Sequence, residues 1–248
     1  MSEQNRIIED FANREYEHGF VTDVEQDTLP PGLDEDVVRA LSAKKNEPEW
    51  MTEWRLEAYH RWLTMEEPDW QKAKYPPIDF QDLHYYAAPK VKERPKSLDE
   101  IDPEIRSTYD KLGIPEAERA FLAGVGAQYD SEVVYHSVKE ELSKLGVVFM
   151  GTDQALKEYP DIVKEHFGTV VPPEDNKFSA LNSAVWSGGS FVYVPPGVEV
   201  PLPLQAYFRI NGENTGQFER TLIVVDEGAS VHYIEGCTAP IYATDSLH

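Results

Sequence analysis

The hydrophobic pattern of the chain changes its period near Asn182, and this change limits the possible folds more than any other feature. Beyond that point, short runs rich in Val, Ile, Phe, Tyr and Thr are divided by Pro-Gly, Asn-Gly and Glu-Gly turn signals. A period of two is that of a β-strand, in which neighbouring side chains point to opposite faces. The pattern therefore predicts four strands, in GGSFVYVPPGV, LQAYFRI, GQFERTLIVV and ASVHYIEG. A sandwich, a barrel and a solenoid of stacked rungs all agree with this prediction.

The pattern before about Val170 is mainly helical. Residues 34–45 begin with acidic side chains and end with two lysines, charges that complement the dipole of a helix at both ends. Residues 48–66 begin at a proline and carry aromatic residues at steps of three to five. This second run predicts an amphipathic helix whose aromatic face packs in a core.

Four further helices are predicted in PEIRSTYDKLG, PEAERAFLAG, SEVVYHSVKEELSKLG and TDQALKEYPDIVKEHFG, each ending in a glycine suited to a left-handed cap. The clearest runs from Ser131 to Leu145, where apolar residues are spaced by four. Between the helical runs, residues 75–103 are rich in proline and charge and predict an extended linker. The chain thus divides into a helical N-terminal region, residues 1–170, and a β-rich region, residues 171–248, which is an α+β organisation.

Composition excludes several classes of function. Cys237 is the only cysteine, so the chain forms no internal disulfide and no multi-cysteine zinc site of its own. The 7 histidines show no metal-ligand spacing. A formal net charge of −22 repels phosphate backbones and anionic lipid, so neither nucleic acid nor a membrane is an expected partner. The sequence shows neither a secretory signal nor an apolar run of roughly 20 residues, which predicts a cytoplasmic location.

The strand alternation places Cys237 on the same face as Glu235, a carboxylate that disfavours the reactive thiolate. A reactive Cys237 therefore needs a cation from elsewhere. Arg209 is the candidate, with Glu219 as its own partner, whereas His232 should point away. Without such a cation, Cys237 is a buried, inert thiol, as free cysteines often are.

Several long strings together resemble one known family. They are AYFRINGENTGQFERTLIVVDEGASVHYIEGCTAP, SGGSFVYVPPGVEVPLPLQ, KKNEPEWMTEWRLEAY and GTVVPPEDNKFSALNSAVWS. From about Val21 onward the chain resembles the SufB proteins of the SufB/SufD family, which assemble iron–sulfur clusters in the Suf system. The resemblance implies a helical N-terminal region followed by the first part of a right-handed parallel β-helix. It therefore selects the solenoid among the three options.

The resemblance also implies a scaffold and sulfur acceptor that is not an enzyme. In this family SufB pairs with SufD and with SufC, which holds the ATPase activity. A transient iron–sulfur cluster forms on the complex, which also binds reduced flavin. Sulfur arrives as a persulfide from a cysteine desulfurase through a SufE-type or SufU-type carrier. The acceptor cysteine of the EGC string corresponds to Cys237, and residues of the sulfur path correspond to Arg209, Asn211 and Glu219.

The SufB proteins are longer than this chain, so the resemblance implies a fragment of the β-helix that holds no cluster and no metal ligand of its own. Two alternatives come from other classes. One is a SufD-like structural partner in which Cys237 is buried and inert. The other is a polysaccharide-acting β-helix enzyme, which would need paired carboxylates on one strand face, and no strand shows them.

Overall fold

A computed structural model describes residues 19–72, 74–90, 103–111, 124–240 and 247–248. The helices in these ranges are α1 (Glu35–Lys45), α2 (Glu49–Thr64), α3 (Pro103–Lys111), α4 (Glu140–Lys144), α5 (Thr152–Glu158), α6 (Pro160–His166) and α7 (Lys177–Val185). The strands are β1 (Gln26–Thr28), β2 (Ala87–Pro89), β3 (Gly124–Tyr129), β4 (Glu132–Val138), β5 (Val148–Gly151), β6 (Ser190–Val194), β7 (Leu204–Arg209), β8 (Leu222–Val225) and β9 (Tyr233–Thr238).

Helices α1 and α2 form as the sequence predicts. The Asp34 carboxylate caps α1 by accepting a hydrogen bond from the Val37 N–H, and Asn46 ends the helix in the left-handed conformation. Pro48 precedes the first residue of α2. The apolar faces of both helices pack with α7 in a core that includes Leu41, Trp62 and other residues. Among the described helices, none has the length and apolar character that crossing a membrane would require.

The helix predicted from Ser131 to Leu145 is wrong over its first half. The run Glu132–Val138 is the strand β4, which pairs antiparallel with β3, and only Glu140–Lys144 is helical. Residues four positions apart share a face in a strand as well as in a helix, so the spacing did not discriminate between the two. The β-branched and aromatic residues of EVVYHSV favour the strand.

The other predicted helices have mixed outcomes. PEIRSTYDKLG forms α3, and TDQALKEYPDIVKEHFG forms α5 and α6, which are divided at Pro160 in the first turn of α6. PEAERAFLAG lies outside the described residues except for Gly124, which belongs to β3. The predicted linker contains the short strand β2, which pairs with β1.

The four strands predicted after Asn182 are confirmed as β6, β7, β8 and β9. They pair in parallel, β6 with β8 and β7 with β9, and partners such as Leu204 and Tyr233 lie about 30 residues apart. The two sheets continue as β4-β3-β7-β9 and β5-β6-β8. Strands β3, β4 and β5 come from the region assigned to helices, so both sheets join the two parts of the chain.

Candidate functional site

Cys237 lies on β9, which is the outer strand of its sheet within the described part of the chain. Its register partner on β7 is Phe208, and paired residues of parallel strands project to the same side of the sheet. Phe208 is buried, whereas Cys237 is exposed within the described part of the chain. The shared face of Cys237 and Glu235 is confirmed.

The imidazole of His248 is in contact with the Cys237 thiol. Sγ lies 3.7 Å from Nδ1 and 3.8 Å from Nε2. On its other side, Nε2 lies 2.9 Å from Oε2 of Glu219. The Glu219 side chain is only 12% exposed, compared with 42% for His248. The structure therefore forms a chain of thiol, imidazole and carboxylate from three separate segments.

The contacts of His248 favour its charged form. The hydrogen bonds to Cys237 and then Glu219 raise the pKa of His248 to about 10, against the opposing effect of burial. The imidazole is therefore protonated at neutral pH, and it places a positive charge beside the sulfur. The cation that a reactive Cys237 requires is thus supplied by His248.

Arg209 lies on the opposite face of the sheet from Cys237. Its register partner is Thr238, the neighbour of Cys237, so the two side chains project to opposite sides. The buried guanidinium lies 4.6 Å from the ring centroid of Phe20 and donates a hydrogen bond to the Phe20 carbonyl. The hypothesis that Arg209 sits beside Cys237 with Glu219 as its partner therefore differs from the structure.

Asn211 lies two residues after Arg209 in the chain and holds the same N-terminal segment. Its Oδ1 accepts from the Thr22 N–H at 2.9 Å, and its Nδ2 donates to the Thr22 carbonyl at 2.8 Å. Arg209 and Asn211 thus anchor residues 20–22 against the end of β7. A role of either residue in sulfur transfer stays a prediction.

A largely apolar groove of about 850 Å³ adjoins the thiol site. Its walls come from α7, the segments 68–75 and 166–171, and the residues around β8, and Glu219 and His248 lie at its edge. Arg220 lies in the groove with its guanidinium 5.2 Å from the ring centroids of both Trp54 and Phe167. The site therefore opens on one side to a surface that is large enough for a peptide segment or a small ligand.

Within the ranges that the structure describes, no group of three or more His, Cys, Asp or Glu residues is arranged to hold an ion.

The contact between Cys237 and His248 is the feature that the sequence analysis missed. Strand alternation shows which face a residue occupies, but not which segment of another turn lies next to it. The sequence does contain one usable signal, which is a separation along the chain. Glu219 and His248 lie about 30 residues apart, as do the partner residues of the parallel strands.

Comparisons with known proteins give a consistent family. The family described as the SufBD protein N-terminal region matches residues 39–206, and the SUF system FeS cluster assembly, SufBD core domain, matches residues 208–248. The chain is 56% identical over 235 residues to the iron-sulfur cluster assembly protein SufB of Bacillus subtilis. It is 54% identical over 244 residues to an iron-sulfur cluster assembly SufBD family protein of Synechocystis. These alignments cover 94% and 97% of the chain but 50% and 51% of the relatives, so the chain spans about half of their length.

Proposed function

The chain belongs to the SufBD family of iron–sulfur cluster assembly proteins, and on this premise we propose that it is part of a SufB-type scaffold that accepts persulfide sulfur at Cys237. The sulfur then passes toward a transient cluster on the assembled complex. In this proposal the partners are SufD, the ATPase SufC, and a SufE-type or SufU-type carrier supplied by a cysteine desulfurase. The chain itself is a non-enzymatic component, and reduced flavin binds only to the complex.

The observation that carries the proposal is the contact between the Cys237 thiol and the His248 imidazole. Persulfide transfer is a thiol exchange, in which a thiolate attacks the outer sulfur of the donor. The acceptor must be accessible to a large carrier and must ionise near neutral pH. Cys237 is the only thiol of the chain, and a cation adjoins it.

We also propose that the strands after Asn182 are rungs of a right-handed parallel β-helix. The support is the repeated parallel pairing of residues about 30 positions apart. Isolated parallel bridges between Gly188 and Glu219 and between Glu199 and Ser230 have about the same offset. One turn of such a coil brings Glu219 and His248 to the same site.

A SufD-like structural role is the second candidate, and one observation favours it. Arg209 and Asn211, which resemble residues of the sulfur path, have a structural task in anchoring residues 20–22. In that case Cys237 would be the inert thiol of the SufD-like alternative and would accept sulfur no better than a thiol placed elsewhere on the chain.

The test compares thiols at two positions. Because Cys237 is the only cysteine, its removal abolishes uptake trivially, so the informative control is the double variant Cys237→Ser/Ser230→Cys, which moves the thiol to another exposed position. We expect the native chain to accept sulfur from a carrier persulfide at least about tenfold faster, as measured by the mass gain of one sulfur atom. Equal rates for the two thiols would rule out a dedicated acceptor and favour the SufD-like role.

A further inference from the structure

The side chains of Cys237, His248 and Glu219 form a linear arrangement that sulfur acceptance alone does not explain. We propose that His248 is the proton-transfer residue of the Cys237 site and that Glu219 positions its imidazole. This inference rests on the proposed function, because it assigns roles within the same transfer step. None of the sequence patterns pointed to His248.

The distances define the role of each group. Both nitrogens of His248 lie within 3.8 Å of Sγ, so the imidazole is in direct contact with the sulfur. The Glu219 carboxylate fixes that orientation through its 2.9 Å contact with Nε2. The order of nucleophile, base and orienting carboxylate is the arrangement that activates thiols and hydroxyls in many transfer reactions.

Glu219 is anchored through its backbone. The backbone of Glu219 bridges in parallel to Gly188, and its carbonyl accepts a hydrogen bond from Nδ2 of Asn182 at 3.0 Å. This anchoring, together with the low exposure of the side chain, restricts the positions that the carboxylate can take. Glu219 therefore suits a positioning role.

Two other charged side chains lie near the site, and each has hydrogen-bond partners of its own. Glu235 shares the face of Cys237, but its Oε2 accepts a hydrogen bond from the Tyr233 hydroxyl at 2.9 Å. Arg220 follows Glu219 in the chain, yet its guanidinium is held between two aromatic rings and donates to Asn182. The pKa of His248, raised to about 10 by Cys237 and Glu219, agrees with a proton that lies on the imidazole.

The proposed step balances without an added oxidant or reductant. In the reacting pair the proton lies on His248, so that an imidazolium faces the Cys237 thiolate. The thiolate then attacks the outer sulfur of a donor persulfide, R–S–SH, so that a new S–S bond forms on Cys237 while the S–S bond of the donor breaks. The electron pair of the broken bond leaves with the donor sulfur, and the His248 imidazolium returns its proton to this thiolate. The products are R–SH and a persulfide on Cys237.

The experiment uses glutathione persulfide as the probe and three single variants of the chain. His248→Gln and Glu219→Gln remove the proton-transfer and positioning groups, and His232→Gln is a control at an exposed histidine of the preceding segment. Sulfur uptake is followed by mass, and the rate of alkylation by iodoacetamide is measured from pH 6 to pH 9.5. Circular dichroism verifies that each variant is folded, and His248→Asn replaces His248→Gln if the latter is not.

We expect His248→Gln to slow sulfur uptake at pH 7 by about tenfold or more and to move the alkylation profile to higher pH. At pH 9.5 the rates of variant and native chain should converge, because alkali ionises the thiol without help. Glu219→Gln should shift the profile in the same direction by a smaller amount, and His232→Gln should leave it unchanged. Mere structural damage would lower the rate at every pH.

The outcomes separate this inference from the proposed function. If the native Cys237 is no faster than a thiol moved to position 230, the acceptor assignment itself fails. If the native thiol is fast and His248→Gln is equally fast with the same pH profile, only the proton-transfer role is overturned. An unchanged profile for Glu219→Gln would remove the positioning role alone.

Discussion

The buried carboxyl of Asp130 joins three parts of the molecule at the end of β7. Its Oδ1 accepts hydrogen bonds from the N–H groups of Asn211 at 2.6 Å and Gly212 at 3.1 Å, and its Oδ2 accepts from Nε2 of Gln26. Burial raises the pKa of Asp130 to about 6, although these bonds and the charge of Arg209 lower it in part. Ionisation of this carboxyl at neutral pH therefore destabilises the folded state.

Asp130→Asn should stabilise the chain relative to the native protein as the pH rises. The folded pKa lies above the ordinary value of 3.8, so the favourable contribution of the native carboxyl is fully present below 3.8 and is lost as the pH rises through about 6. The difference in free energy of unfolding between the variant and the native chain should shift in favour of the variant by about 1 kcal/mol from pH 5 to pH 7. Urea denaturation at the two pH values measures this difference.

The substitution suits the site in two respects. Asparagine keeps an acceptor for the backbone N–H groups, and it tolerates the left-handed φ of 50° at this position. Asp226→Asn, on a partly exposed turn, is the control and should show no such gain. A constant difference between Asp130→Asn and the native chain across this pH range would contradict the ionisation argument.

Sequence reasoning found one neighbour of Cys237 but missed the other. Period-two alternation correctly put Cys237 beside Glu235, because that relation depends only on the local strand. Arg209 was placed wrongly with respect to Cys237, since the choice between the two faces of β7 depends on how its neighbour β9 is paired. His248 escaped notice because its contact with Cys237 depends on a turn of the chain that no local pattern records.

At the scale of elements, two consecutive glycines allow close contact between successive turns of the chain. Gly189 has a φ of 116°, and a Cβ atom there would lie 2.6 Å from the backbone carbonyl of Arg220. The Arg220 N–H donates to the Gly188 carbonyl at 2.9 Å. The position of Glu219, and with it that of His248, therefore depends on the absence of side chains at residues 188–189.

Gly189→Ala should destabilise the chain by about 2 to 4 kcal/mol, because backbone atoms must move and the φ is unfavourable for alanine. Gly197→Ala is the matched control. Gly197 also has a left-handed φ, 70°, but no atom lies within 4 Å of the point that an alanine methyl group would occupy, so only about 1 kcal/mol should be lost. Chemical denaturation measures both losses, and equal losses would show that crowding against Arg220 is not the cause.

The elements themselves were predicted with uneven success for identifiable reasons. Helix α1 was found because its capping aspartate and terminal charges act within a few residues. Strand β4 was mistaken for a helix because a spacing of four fits both structures. The pairing of β3 with β7 joins residues about 80 positions apart, such as Gly124 and Leu204, and no local signal indicates such a partner.

At the scale of the whole molecule, acidic residues dominate the charge. There are 45 Asp and Glu residues against 23 Lys and Arg, for a formal net charge of −22. Several carboxylates project from the exposed faces of helices, including Glu53 and Glu57, which are one turn apart on α2. Like charges at this spacing repel each other, and a large net charge disfavours the compact state.

The free energy of unfolding should therefore rise with salt, by an amount on the order of 1 kcal/mol between 0.1 M and 1 M NaCl, where the Debye length falls from about 10 Å to about 3 Å. The rise should level off near 1 M, because screening is then nearly complete, whereas solute exclusion would continue to act at higher concentrations.

The double variant Glu53→Gln/Glu57→Gln should be more stable than the native chain at 0.1 M by a few tenths of a kcal/mol, roughly the value of one like-charge pair. That advantage should disappear at 1 M. Urea titrations at both salt concentrations measure the effect, and an advantage that persists at high salt would mean that helix propensity, not charge repulsion, distinguishes the variant.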